Sequence, residues 1–486
     1  MWLALGGGQR VLGQGCHAIQ ATNSVDFHFG IICNQGNSLK LWGDNSFGVL
    51  GLGDENPSFN IAAPNIQNVA AVATGIYHTI ILKADGTVWA WGSNEFGQLG
   101  ANLAIGLDPT FTPVQVVDNS GNPLTNIVQI DAGDDFSIAR KNDGTVWCWG
   151  KNDEGQLGHN GLIGNPYNVA VQVNVLGNPL VNVQNIVAGG SHTLALLSDN
   201  TLRAWGHNTG GELGNGTDAS IATPVVVKFI SGNTFDNVIF IEASVHSSFA
   251  IRSDGTTWAR GLNDFTNLGA GFGSTVLYPK SVNLSNVVDI ASGSHSTVFL
   301  LADGSLWGSG INTYGTFGAC PTPDNSHEVP ISLGLNIDEP CNHILDIQCV
   351  HPSGKTFMAT MQDGTIRTWG HNANINLLGI GSDADVVCGV QTPTVCASSS
   401  NSATISGNTL ICEGQTTTLT VNPTFATYAW STGATTQSIS VNTAGTYTVT
   451  VTNANGCSTT TAATVSVTPQ ELCCAADVAF YSFAGQ

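Results

Sequence analysis

The sequence predicts an all-β protein: a seven-bladed β-propeller followed by a small C-terminal β-sandwich. Three observations carry that expectation. First, a pattern clearest in DGTVWAWGSNEFGQLG (Asp85 to Gly100) and DGTVWCWGKNDEGQLG (Asp143 to Gly158) recurs seven times along the 486 residues. Second, the turn glycine of the pattern falls at Gly43, Gly92, Gly150, Gly206, Gly261, Gly310 and Gly370, at intervals of 49, 58, 56, 55, 49 and 60 residues. That is the period of a propeller blade or a solenoid unit. Third, the chain holds 58 Gly and only 3 Met, and 10% of its residues are charged. The usual charged share is about a quarter, and no long helical periodicity is present.

Each element of the repeat has a physical reading. Asp85-Gly86, Asp143-Gly144, Asp254-Gly255, Asp303-Gly304 and Asp363-Gly364, with Asp199-Asn200 in the fourth copy, supply residues that accept positive φ and so suit tight hairpin turns. Apolar segments (IILKA, LALLS, VFLLA) precede the turns, and a short strand ending in Trp-Gly follows them. The unit is strand, turn, strand. Asn45, Asn94, Asn152, Asn208, Asn263, Asn312 and Asn372 lie two residues after the turn glycine in all seven copies. An Asn fixed in a Gly-rich turn is suited to hydrogen-bonding local backbone, with a ligand role as the weaker alternative. Trp42, Trp91, Trp149, Trp205 and Trp369 recur at one position, which argues for blade packing over ligand stacking. Thr112-Pro113, Thr223-Pro224, Tyr278-Pro279 and Thr392-Pro393 open later strands. Proline lacks an N–H, so those strands belong at blade edges. Four-stranded blades closed around an axis satisfy all of this.

The order Gly-x-x-His, apolar strand, Asp-Gly, x-x-Trp-x-Trp-Gly-x-Asn-x-x-Gly-Gln-Leu-Gly resembles the regulator of chromosome condensation repeat, over roughly residues 11 to 396. The resemblance implies a seven-bladed propeller over residues 1–397. Copies five and six depart from the pattern, with Arg260-Gly261 and Ser309-Gly310 in place of Trp-Gly. Trp258 and Trp307 nearby are expected to keep those blades intact.

Composition shifts near Ala397. Residues 398–404 read as a polar linker, and 405–470 alternate as the strands of a small β-sandwich should. This segment resembles the immunoglobulin-like or polycystic-kidney-disease-type modules of bacterial surface proteins, with Tyr447 as a corner tyrosine and Trp430 as a core tryptophan. Residues 471–486 are an unassigned tail, and both chain ends read as cut from something longer. The opening MWLALGGGQR lacks the basic start and apolar length of an export signal.

Net charge is −21, with 13 Lys and Arg spread thinly. Nucleic-acid binding depends on clustered basic residues that neutralise phosphate, so it is not expected. No apolar run reaches the length of a membrane span. Of the 12 Cys, Cys33 and Cys148 read as buried thiols. Cys320 with Cys341, Cys388 with Cys396, and Cys412 with Cys457 bracket loops and read as disulfides if the chain is exported.

No catalytic constellation emerges, and no cofactor is expected. His28, His78, His192, His246 and His295 recur eight or nine residues before the turn. By sequence count His78 and His192 share one offset, and His28, His246 and His295 the other. Strand side chains alternate, so a shift of one changes the face. With no carboxylate recurring beside them, backbone hydrogen bonding is expected in preference to metal binding. The pairs Asp134-Asp135 and Asp153-Glu154 read as solvated loop tips. The expected function is therefore non-enzymatic recognition of a protein or surface glycan through propeller faces and loops. The expected setting is outside the cell or at its surface, with a cytoplasmic one as the alternative, and a monomer suffices. The insertion holding Cys320 to Cys341 is a candidate binding loop. The alternative, implied by the resemblance, is guanine-nucleotide exchange on a small GTPase, though no residues map onto an exchange loop.

Overall fold

Asp-Gly turns set the blades. At five of the hairpins the Asp side chain accepts two hydrogen bonds from the residue two further on: Asp85 takes the Thr87 amide at 3.0 Å and its hydroxyl at 2.6 Å, and Asp143, Asp199, Asp254 and Asp303 repeat this. The next residue adopts positive φ, Asn200 at 63° and Gly86 at 79°. Hairpins closed in this way assemble into antiparallel blades.

A computed structural model describes residues 16–18, 28–33, 38–56, 58–106, 108–159, 163–271, 273–312, 315–317, 326–333, 344–349, 356–361, 366–371, 403–452 and 458–469. It is all-β apart from one short 3-10 turn at Ser46–Gly48. Six four-stranded sheets form blades 1 to 6, starting at Cys16–Ala18, Val69–Thr74, Ile127–Ala132, Val183–Ala188, Val238–Ala243 and Val287–Ser292. Blade 7 has three described strands, Ile344–Cys349, Thr356–Met361 and Ile366–Gly370. First strands of successive blades from 2 to 7 touch one another, and Cys16–Ala18 touches Thr356–Met361, which closes the ring. The prolines at 113, 224 and 279 lie in fourth, outer strands, where a missing N–H costs nothing.

One interaction repeats from blade to blade. The Trp149 indole N–H donates to the Gln98 carbonyl of the preceding blade at 2.8 Å; Trp91 reaches Val49, Trp205 reaches Gln156 and Trp369 reaches Thr316 in the same way. These indoles are wholly buried, as is Trp42. Trp91, Trp149 and Trp205 pack where the preceding blade has a glycine: a Cβ on Gly51 would lie 3.0 Å from Trp91, one on Gly100 2.6 Å from Trp149, and one on Gly158 2.7 Å from Trp205. The same carbonyls accept a second bond from a second-strand hydroxyl, Thr79 to Val49, Ser137 to Gln98, Thr193 to Gln156 and Ser248 to Glu212.

The two irregular blades keep this lock by other means. Arg260 Nε donates to the Glu212 carbonyl at 2.9 Å, and Ser309 Oγ to the Asn267 carbonyl at 2.9 Å. Trp258 and Trp307 do not stand in for the missing indoles. They sit two residues earlier, with their N–H groups on Thr256 and Ser305 within their own hairpins.

The glycine called a turn glycine from sequence ends the third strand instead, beside a register shift toward the fourth. Gly150 has φ 103°, and a Cβ there would lie 2.5 Å from the Asp135 carbonyl oxygen. Only glycine meets both demands. The repeated Asn then ties the following loop: Asn208 Oδ1 accepts from Leu213, and its amide donates to the Thr217 and Ala219 carbonyls. Asn45, Asn94, Asn152, Asn263 and Asn312 accept from the equivalent amide; Asn372 lies outside the described residues.

The histidines group differently from the sequence count. His28, His78 and His192 all pair with the glycine ending the third strand. His28 and Gly43 lie 15 residues apart in sequence, against 14 for His78 and Gly92 and for His192 and Gly206, which shifts the linear count by one. All three are buried, with Nε2 2.9 Å from Thr79, Ser137 and Ser248 of the next blade. Those hydroxyls already donate to carbonyls, so each imidazole must donate through Nε2. Its Nδ1 has no hydrogen-bond partner among the described residues. Burial pushes all three pKa values down to about 3.

The chain divides into two compact units, Met1–Asp338 with His343–Ala397, and Glu339–Asn342 with Ser398–Gln486. In the second, Thr404–Ser406, Thr417–Asn422 and Ser438–Val441 form one sheet, and Leu410–Cys412, Ser458–Thr468, Gly445–Thr452 and Thr427–Trp430 another. They share a core that includes Leu419, Val421, Trp430, Val449 and Val465. Trp430 stands opposite Val449, and the Tyr447 hydroxyl donates to the Thr443 carbonyl at 2.9 Å. Cys412 is disulfide-bonded; Cys457, Cys320, Cys341, Cys388 and Cys396 lie outside the described residues. Cys148 is a buried free thiol.

Two outcomes follow from the lock. Replacing Arg260 by Trp removes a buried guanidinium whose Nη2 has no partner among the described residues, and should raise stability by roughly 1–3 kcal/mol, read by denaturant unfolding; Trp149→Ala should cost roughly 3–5 kcal/mol. His78 should make stability fall with acid. Its pKa is depressed in the fold, so its contribution is complete above the unfolded value of 6.5 and is lost as pH drops toward 3, by about 1.4 kcal/mol per pH unit. His78→Phe copies Phe136 of blade 3 and should flatten the pH slope of the melting temperature between pH 6 and 4 relative to wild type.

Candidate functional site

The loops joining first to second strands, and those following the third-strand glycine, gather on one face of the ring. Neighbouring loops are bonded backbone to backbone: the Ile76 amide donates to the Asp134 carbonyl, and the Asp134 amide to that of Gly190. Within blades 2 to 6 the residue after the third-strand glycine donates to the first loop, as Ser93 does to Tyr77, Lys151 to Asp135, His207 to Ser191, Leu262 to His246 and Ile311 to His295. The backbone frame is therefore fixed, while its side chains change from blade to blade. Tyr77, Asp135, Ser191, His246 and His295 occupy one position, and Ser93, Lys151, His207, Leu262 and Ile311 another.

Side chains meet across the blade junctions on this face. Phe47 lies 4.6 Å from Tyr77, ring centre to ring centre, and is 38% exposed. Lys151 rests 4.6 Å over the Phe96 ring and pairs with Asp135 at 3.3 Å. Phe265 lies 3.9 Å from His295. Glu154 accepts a 2.6 Å bond from the Ser220 hydroxyl. Aromatic, cationic, anionic and imidazole groups thus alternate around one rim.

The pair Asp134-Asp135 is not the solvated tip its composition suggested. Asp134 Oδ1 is buried without a hydrogen-bond partner among the described residues. Burial, reinforced by neighbouring Asp135, pushes the Asp134 pKa up to about 7. Burial also raises Asp135, against the pull of Lys151. Of the second pair, Asp153 is exposed and Glu154 half-buried. The loop of blade 4 packs too closely on Asp134 to leave it in bulk water: a Cβ on Gly190 would lie 2.9 Å from its Oδ2.

The junction of blades 4 and 5 carries the most concentrated chemistry. His207 Nδ1 lies 3.1 Å and His246 Nδ1 3.6 Å from Glu212 Oε1. His207 Nε2 is 2.9 Å from the Thr209 hydroxyl, and Glu212 Oε2 accepts the Gly210 amide at 2.9 Å. The Glu212 side chain is fully buried. Burial alone would raise its pKa, but hydrogen bonds to His207 and His246 outweigh this and hold the carboxyl well below its usual range. The Glu212 hydrogen bond raises the pKa of His207 in turn. Sequence reasoning singled out His246 but not His207 or Glu212, because a grouping made at one junction has no periodic signal. The candidate insertion between Cys320 and Cys341 lies mostly outside the described residues. Among the described residues, no helix is long and apolar enough to cross a membrane.

The coupling is testable by histidine-resolved NMR. His207 should titrate above the ordinary imidazole range, and Glu212→Gln should bring its midpoint down; an unchanged midpoint would contradict the pairing.

A model of the RCC1-like domain matches residues 38–419. The human E3 ubiquitin-protein ligase HERC2 is 30% identical over 205 residues, 41% of this chain and 4% of its own length. The ultraviolet-B receptor UVR8 of Arabidopsis thaliana is 29% identical over 238 residues, 48% of this chain and 51% of its own. Mouse protein RCC2 is 29% identical over 291 residues, 54% and 52% respectively. The chain thus spans about half or less of the curated relatives it matches. Among solved structures, Prp20p of Saccharomyces cerevisiae, described with its binding to Gsp1p and histones, superposes with TM-score 0.60 at 21% identity, covering 77% of this chain and 89% of that one. Human WBSCR16 gives TM-score 0.59 at 22% identity, covering 74% and 94%. These two likenesses establish fold alone. With the family match running from the first Trp-Gly blade past the seventh, and the inter-blade lock repeated beneath it, the chain belongs to the RCC1-like domain family of β-propellers.

Proposed function

We propose that the protein is a non-enzymatic recognition module whose propeller binds a protein partner through the loop face that carries Tyr77, Lys151, His246 and Phe265. One observation supports this above the others. Within a single chain, the positions that lock blades together largely repeat, whereas the positions on this rim vary among blades 2 to 6, from Tyr77 through Asp135 and Ser191 to His246 and His295, although their backbone frame is the same. A surface of varied side chains on a rigid frame is what selective contact requires. Partly exposed aromatic groups such as Phe47, Tyr77 and Phe265 are also of the type enriched at protein interfaces. Binding of proteins is described for the related Prp20, including a complex with Kap60.

In this reading the C-terminal unit is an immunoglobulin-like or PKD-type spacer, and the protein works outside the cell or at its surface, with Cys412 bonded to Cys457. A surface glycan is the less favoured ligand, since an apolar and charged rim suits a protein better. Nucleotide exchange on a small GTPase is kept as the competing reading.

The test uses three forms of the full chain: wild type, a rim variant (Tyr77→Ala, Lys151→Glu, Phe265→Ala), and a control altered at the Asp-Gly turns (Asp85→Asn, Asp254→Asn). Cross-linking capture from the native host should recover the same partner with wild type and control, and lose it with the rim variant. Equal recovery by all three would refute the assignment of the face. Release of labelled GDP from a Ran-like GTPase at substoichiometric protein would favour the exchange reading instead.

A further inference from the structure

We infer that His207, Glu212 and His246 form a binding site for one divalent transition-metal ion of the zinc class at the junction of blades 4 and 5. The ligand atoms lie within 4.8 Å of one another, with Nδ1 to Oε1 separations of 3.1 and 3.6 Å. An ion about 2.0–2.1 Å from each atom of a tetrahedral set holds those atoms about 3.3 Å apart, so the two His–Glu separations already match to a few tenths of an ångström, and the two imidazole nitrogens, within 4.8 Å of each other, close to the same spacing on binding.

The outer atoms are already held. His207 Nε2 meets the Thr209 hydroxyl, and Glu212 Oε2 takes the Gly210 amide. Metal-bound imidazoles and carboxylates need such partners to fix their orientation. Arg260, the nearest buried cation along this junction, bonds the Glu212 main-chain carbonyl and not its carboxylate.

The sibling junctions show what is particular here. Gln98 and Gln156 occupy the place of Glu212, and each accepts the amide two residues before it at 2.9 Å, as Glu212 does from Gly210. Glu212 keeps that turn bond while replacing the remaining amide nitrogen with a carboxylate oxygen. Gly210 stands where the siblings have Phe96 and Glu154. A Cβ at 210 would come 2.9 Å from Glu212 Oε1, so the missing side chain leaves room for the carboxylate. Two departures from the repeat, a charge gained and a side chain lost, thus fall at a junction where two imidazoles converge on one carboxylate.

Glu212 is fully buried, His207 is 16% exposed and His246 41%. The open side of the triad therefore faces solvent, and three protein ligands leave a fourth position for water or a partner's side chain. Binding must displace the proton that His207 shares with Glu212, so it releases protons.

The experiment compares full-length wild type with Glu212→Gln and His246→Ser after dialysis against chelator. Glu212→Gln reproduces the Gln98 and Gln156 junctions, and His246→Ser reproduces Ser191, so both should fold; melting curves check this. Zn2+ is titrated calorimetrically, and Co2+ by visible absorption. Wild type should bind one more Zn2+ per chain than either variant, and show Co2+ d–d bands that both lose, with affinity at this site falling at least 100-fold. His295→Ala, on the same face, should leave the titration unchanged. Equal stoichiometry and spectra for wild type and a folded Glu212→Gln would overturn the site and leave a proton-sharing His–Glu–His cluster in its place.

Discussion

A single main-chain carbonyl in each of blades 1 to 6 carries the propeller. At Val49, Gln98, Gln156, Glu212, Asn267 and Thr316 it accepts a side-chain donor from the following blade, and at four of these a second-strand hydroxyl as well. A buried carbonyl without a partner is costly, so each blade needs its neighbour in order to satisfy its own backbone. The apolar clusters follow the same logic, with side chains of one sheet packed on those of the next, as when Trp149 joins residues of blade 2 in a shared core. Ring closure between the first and last blades extends this dependence around the circle.

What was legible in the sequence is what repeats. Tryptophan, asparagine and two glycines recur because each performs a backbone task that only a few residue types can perform, and their spacing exposed the blades and their number. Arg260 and Ser309 were read as losses, since pattern matching sees the missing indole but not the donor that replaces it. His28 was placed in the wrong group because one longer hairpin shifts a linear count while leaving the paired register intact. Asp134 looked solvated because its exposure depends on a loop of blade 4, remote in sequence. The His207–Glu212–His246 grouping was invisible for a related reason: it exists once, across a junction, and only folded register brings Glu212 to His246.

The architecture separates two kinds of position within each repeat. Residues that face the next blade are bound by the lock and vary little. Residues one step along, at the loop rim, hang from the same hydrogen-bonded frame but have no packing obligation, and they range from Tyr77 through Asp135 to His246. Alternation along a strand makes this possible, because adjacent side chains project to different surroundings. Stability and surface chemistry are thereby held by different residues of the same few segments. In the second unit, too, a shared apolar core leaves the intervening threonines and serines of Gly445–Thr452 and Ser458–Thr468 half-buried or exposed.

The junction of blades 5 and 6 shows how far the repeats have individualised. Ser309 is much smaller than the indole found elsewhere, and the volume beside Gly269 is filled by Pro330 from the outer strand, whose Cγ would lie 3.0 Å from a Cβ at that glycine. Both parts of the replacement wedge, Ser309 and Pro330, belong to blade 6, while blade 5 keeps the glycine found at the other seams. The volume that one indole fills elsewhere is here shared between the third and fourth strands of a single blade. The compensation is therefore internal to the blade: an indole restored at position 309 alone would collide with Pro330, whereas a whole blade exchanged as a unit carries its own wedge with it.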